Sequence, residues 1–150
     1  FYFWSVCHLN VSIKNLITDL KGEQFENENS IITLITYNNF EELFMGVAGI
    51  IAFEKIKTYL PKNIEIIKIG HHGAKNVINK ALLDETNPKT AIISTGLNNY
   101  GHPNGVTLEL LKSHNIKTLR TDIQNSIKIE KTKDEYKIYS YSKDKNILLR

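Results

Sequence analysis

Two short loops hold the residues of this chain best suited to chemistry. The first, Gly70-His71-His72-Gly73, ends the apolar run 64–69; the second is Tyr100-Gly101-His102-Pro103. Imidazole titrates near neutral pH and is a common metal ligand, so both loops offer general acid–base groups or ligands. Glycines around the histidine pair would leave room for a metal or a phosphate. Adjacent side chains at a strand end diverge. One of His71 and His72 is therefore expected to face a site, and the other to orient a ligand or substrate from behind it. His102 stands before a predicted helix start, where free N–H groups favour an anion such as phosphate, and Asn98 and Asn99 add donors beside it. His8 and His114 lack such a setting and read as structural or surface residues.

The elements that must carry these loops follow from periodicity and punctuation. A β-branched strand is expected at 31–37, turning at Asn38-Asn39 into a second strand at 40–45. Residues 50–60 have helical spacing and end at Pro61. A buried strand at 64–69, a short helix at 76–85 and a buried strand at 89–95 come next. Pro103 suits the first turn of a helix running to about residue 114. A strand at 116–120 precedes an antiparallel hairpin of 126–131 and 135–141 across Lys133-Asp134. Asp122 is expected to accept backbone hydrogen bonds at the Gln124-Asn125 turn, where Asn125 suits the left-handed conformation. Residues 1–29 show no clear element, and 143–150 read as a charged, loosely held tail. The order β-β-α-β-α-β-α-β-β-β predicts an α/β domain with a mixed sheet.

Composition narrows the classes. The 150 residues, 41% hydrophobic and 23% charged, suffice for one domain with its own core. A net charge of +3 permits contact with nucleic acid, but the lysines are interleaved with acids and form no basic cluster. The single Cys7 excludes an internal disulfide framework and a CxxC zinc site. The apolar run 44–53 is about half the length of a membrane span, and no signal peptide is legible. The chain begins with Phe, and its one methionine is Met45, so it is expected to be a piece of something longer.

Over residues 27–131 these motifs resemble the C-terminal part of a metallo-β-lactamase-fold hydrolase domain, above all that of ComEC-type DNA-internalisation competence proteins. The resemblance rests on Asn29-Ser30 before a strand and on Met45-Gly46-Val47 at a hairpin end. It rests further on Gly70-His71-His72-Gly73-Ala74-Lys75, on Ser94-Thr95-Gly96 with Asn98-Asn99-Tyr100-Gly101-His102-Pro103, and on Arg120-Thr121-Asp122. It implies the C-terminal half of an αββα sandwich over 30–142. It also implies a divalent metal, Zn or Mn, without a small organic cofactor, held by His71 or, as second choice, His72. His71, His72 and His102 would be the catalytic residues, and Asn29, Ser30, Asn99, Tyr100 and His102 would contact substrate. The implied substrate is a DNA phosphodiester, and the implied partner is a membrane channel in the same protein or another. The implied location is at the cell membrane, in a domain outside the bilayer.

Two departures set the expectation for activity. The family's upstream His-x-His-x-Asp-His cluster has no counterpart in residues 1–29, and Val47 stands where the family carries a metal-binding Asp. A catalytic metal site needs at least three protein ligands, so the chain alone is expected to be inactive. The competing expectations are a non-catalytic nucleic-acid-binding or assembly domain, and a metallo-hydrolase of another substrate class. Half of a sandwich should also expose an apolar sheet face.

Overall fold

Period-two alternation sorts the apolar side chains onto two faces of one large sheet. The computed structural model describes residues 2–8, 11–142 and 145–149. Strand β1 is Tyr2–His8, β2 Val11–Ile17, β3 Ile32–Tyr37 and β4 Phe40–Phe44, an antiparallel meander. Asn38, at φ 56°, makes the β3–β4 turn, a conformation asparagine tolerates better than most residues. Beyond β4 the sheet becomes parallel: β5 is Ile66–Lys68, β6 Thr90–Ile93 and β7 Lys117–Arg120. Parallel neighbours require crossovers. These are helix α1, Ile50–Ile56, then α2, Lys80–Thr86, and α3, Gly105–Ser113. All seven strands lie side by side in chain order, so the mixed α/β sheet expected from the pattern is present.

One face of this sheet packs on the helices. Leu34, Leu43, Ile67, Ala91 and Ile93 meet Phe53 and Ile56 of α1, Leu82 and Leu83 of α2 and Leu111 of α3. The short helix α4, Thr121–Gln124, then leads into a separate antiparallel sheet. Its strands are β8 (Ser126–Lys131), β9 (Tyr136–Ser142) and β10 (Lys145–Leu148). Ile138 of this small sheet packs on Phe40, Ile66, Ile92 and Leu119 of the other face, with Ile127, Ile129 and Leu149 around it. The face expected to lie bare is therefore covered in part by the chain's own C-terminal hairpin.

Several boundaries shift for local reasons. Helix α2 starts at residue 80 rather than 76, because the Asn79 side chain caps it by accepting from Leu82 N at 2.8 Å. Asn104 takes the same role for α3, at 3.0 Å from Val106 N, which leaves Pro103 outside the helix instead of in its first turn. Asp122 grips Arg120, Nε to Oδ1 at 3.0 Å, and the guanidinium, more than the backbone bond expected there, holds its carboxyl below the usual range. Asn125 has the positive φ expected, 58°, but its ψ of −132° puts it outside the left-handed helical region. The segment 1–29 contributes β1 and β2, and the tail contributes β10, whose pairing with β9 continues into a bond from Leu149 N to Ile138 O at 2.6 Å. The side chain of His8 lies outside the described residues; His114 is structural, with Nδ1 at 2.8 Å from the Leu110 carbonyl.

Two carboxylates in this framework repay attention to charge. Helix α1 begins at Gly49 with no cap of its own, and Glu28, far back in sequence, takes that place. Its Oε2 accepts from Gly49 N at 3.0 Å and from Ala52 N at 2.8 Å, putting negative charge on the positive end of the helix. Glu42 sits on the opposite sheet face, 7% exposed, and makes no hydrogen bond or ion pair among the described residues. Burial pushes its carboxyl from 4.5 to about 7. Lys68 lies on the same face, since Phe44 pairs with Lys68 and Glu42 with Ile66, and burial lowers its ammonium in turn.

Glu28→Ala is expected to cost about 1–2 kcal/mol, the usual size of a lost helix cap. Urea denaturation of the purified chain checks this, and an unchanged midpoint would contradict it. For Glu42 the folded state holds its proton more tightly than the unfolded state does. Stability should therefore fall as pH rises from 4.5 to about 7 and stay reduced above that. Glu42→Gln should remove this loss, gaining about 2–3 kcal/mol at pH 8 and little at pH 4. Equal midpoints for variant and parent at pH 8 would contradict the assignment.

Candidate functional site

The chemistry-bearing loops all leave the carboxyl ends of parallel strands, where open α/β sheets form their ligand crevices. Gly46 and Val47 follow β4, the histidine pair follows β5, and residues 94–103 follow β6. The chain bonds these loops to one another. His71 N donates to Gly46 O at 3.2 Å, Asn104 N to Gly73 O at 2.8 Å, and Thr107 Oγ1 to Ala74 O at 2.8 Å. Thr121 Oγ1 donates to Thr95 O at 2.6 Å and accepts from Thr95 N at 2.8 Å, tying the β6 loop to the end of β7.

Within this frame the histidine turn has an uncommon backbone. His71, His72 and Gly73 are all left-handed, at φ 44°, 53° and 74°. For a non-glycine residue such a conformation costs on the order of 1–3 kcal/mol and persists only where its surroundings impose it. The flanking glycines have a different purpose from the one expected. A Cβ on Gly70 would stand 2.3 Å from the Ala48 carbonyl oxygen, and one on Gly73 would stand 2.9 Å from Pro103 Cβ. The space they free is filled by the protein's own chain rather than left for a ligand.

The turn sends its two imidazoles apart, as strand-end geometry predicts. His72 Nδ1 lies 2.7 Å from the Ser94 carbonyl oxygen. A carbonyl only accepts, so this bond places the proton on Nδ1 and leaves Nε2 with a lone pair. The His71 ring meets the His102 ring edge to face, with centroids 5.8 Å apart. His102 Nδ1 is buried and has no hydrogen-bond partner among the described residues, an orphan polar atom. A cavity of about 180 Å³ opens here, lined by His72, Thr95, Gly96, Asn98, Tyr100 and His102. A larger one, about 400 Å³, lies at the other end of the strands around Phe40, Glu65 and Lys89 and contains no histidine.

Asn98 organises the second loop, a role that sequence reasoning left to a generic donor. Its Nδ2 donates to Gly96 O at 2.8 Å and His102 O at 2.7 Å, while Oδ1 accepts from Tyr100 N at 3.1 Å and His102 N at 3.0 Å. An asparagine between glycines at 96 and 101 is the signal that could have marked it. Asn99 is exposed on the same loop. The other residues expected to contact substrate also bond within the chain. The Asn29 amide bridges Leu20, accepting from its N and donating to its O at 2.9 Å each. Ser30 Oγ accepts from Val47 N at 3.2 Å, which places Ser30 beside the site with its hydroxyl hydrogen still to donate.

These residues do not by themselves build a metal centre. Among the described residues no three His, Cys, Asp or Glu side chains converge. Val47, at the hairpin end beside the turn, is exposed and brings an isopropyl group where the resemblance asks for a carboxylate. No helix among the described residues is long and apolar enough to cross a membrane.

No family model matches the chain. It is similar to parts of three much longer proteins. ComE operon protein 3 of Bacillus subtilis is 45% identical over 64 residues, 42% of this chain and 8% of that protein. Competence protein ComA of Neisseria gonorrhoeae is 31% identical over 64 residues, 42% of this chain and 9% of its own length. Recombination protein 2 of Haemophilus influenzae is 24% identical over 139 residues, 91% of this chain and 17% of that protein. The chain thus spans less than a fifth of the relatives it matches.

If Asn98 clasps the loop, Asn98→Ala should speed amide exchange at Tyr100 and His102 by about tenfold, the effect of one lost hydrogen bond each. Exchange in β5 and β6 should not change. Hydrogen–deuterium exchange with residue resolution measures this, and unaltered rates at both amides would contradict the assignment.

Proposed function

We propose that this chain contacts DNA during its uptake, at the crevice lined by His72 and His102 with His71 against the His102 ring, and does not hydrolyse it unaided. One observation carries the reading: imidazoles from two different loops converge on a small cavity at the carboxyl ends of β5 and β6. The similar proteins, named ComE operon protein 3, Competence protein ComA and Recombination protein 2, favour DNA as the class of ligand. The exposed ammonium of Lys75 after the turn suits phosphate oxygens, which take most protein–DNA hydrogen bonds. The loop motifs, through the family they resemble, support a place beside a membrane channel.

A second reading is favoured by two nitrogens. The orphan Nδ1 of His102 and the open Nε2 of His72 are the unsatisfied nitrogens of an incomplete ligand set. On this reading the chain is one corner of a metallo-β-lactamase-type phosphodiesterase centre for Zn or Mn, the remaining ligands coming from other residues.

Fluorescence anisotropy with labelled single-stranded DNA tests the first reading, alongside a cleavage assay with Zn or Mn added. Binding that weakens as salt rises is expected, because phosphate contacts release counterions, and the DNA should remain intact. Absence of binding would contradict the DNA contact. Cleavage by the chain alone would contradict the claim that its ligand set is incomplete.

A further inference from the structure

The rings at the crevice form a row that ends in solvent. His71 meets His102 edge to face, and Tyr100 lies nearly parallel to His102, at 25° between planes and 6.2 Å between centroids. Tyr100 is 84% exposed, so the ring face turned away from His102 is open. Leu97, fully exposed, stands on the same loop. Large apolar groups on a loose surface loop would carry little meaning, but this loop is held by five bonds of the Asn98 side chain, two of them from the amides of Tyr100 and His102. The backbone that carries the ring is therefore held, and the ring itself rests against His102, which lowers the entropic cost of presenting it.

We infer that Tyr100 is a stacking platform for an unpaired nucleobase of a single DNA strand, an inference that rests on the DNA-contact reading above. A base seated on the open ring face would extend the row His71–His102–Tyr100 by one. The strand's backbone would then run past the cavity lined by His72 and His102. A duplex cannot use the platform, because its base faces are already stacked on one another, so the site selects single strands. Stacking needs a π-face and no hydrogen-bond pattern, so the preference should not depend on sequence.

The test compares the chain with Tyr100→Ala and Tyr100→Phe by anisotropy, using a single-stranded oligodeoxythymidylate, a duplex, and an abasic strand that keeps the phosphates. The exposed side chain buries little, so both variants should fold. Tyr100→Ala should weaken thymidylate binding about 5- to 150-fold, while Tyr100→Phe stays within about twofold and neither variant changes duplex or abasic binding. Thymidylate binding unchanged in Tyr100→Ala, or all three probes weakened alike, would overturn the platform and leave the DNA contact standing. Binding of none of the probes by the unaltered chain would overturn both.

Discussion

The geometry of the site depends on how closely Gly70 passes the carbonyl of Ala48. A side chain there would sit 2.3 Å from that oxygen. Because it is absent, the end of β5 tucks against the loop after β4, and His71 N reaches Gly46 O. The chain then has only a left-handed path out, through His71, His72 and Gly73. That path divides the two imidazoles, one to the Ser94 carbonyl and one to the His102 ring. The strain is held by bonds from the start of α3, so the second loop and the first are fixed as one unit.

The opposite sheet face answers a different constraint. It mixes a covered apolar centre, under Ile138, with Glu42 and Lys68, two half- to fully buried charges that do not pair with each other among the described residues. Burying unpaired charge is costly, and here the cost shows as opposite pulls on the two groups, the carboxyl toward protonation and the ammonium toward deprotonation. The helix-covered face has no such conflict. Its one missing cap is supplied by Glu28 from a distant turn.

Much of this was legible in the sequence where the signal is local. The β3–β4 hairpin, the buried parallel strands and the convergence of the two histidine loops follow from β-branched runs, Asn and Gly turns, and the rule that parallel strands end at a crevice. What was not legible depends on distance. Nothing near Gly49 announces Glu28 as its cap, and nothing in Gly70 or Gly73 says that the neighbour filling the space is Ala48 or Pro103 rather than a ligand. Strand β2 was missed although Val11, Ile13 and Leu16 hint at it, because Lys14 and Asn15 break the alternation. Asp122 was expected to bond backbone, but an arginine two residues away offers a stronger, charge-assisted partner. Asn29 and Ser30 shape the site by holding Leu20 and Val47, roles that a motif cannot separate from substrate contact.

Which surface meets DNA is decided most directly by mapping backbone amide chemical shifts while a single-stranded oligonucleotide is titrated into the labelled chain. The account predicts that the perturbed amides fall in residues 71–75 and 94–104. Perturbations centred instead on the larger cavity around Phe40, Glu65 and Lys89, at the other end of the strands, would contradict it.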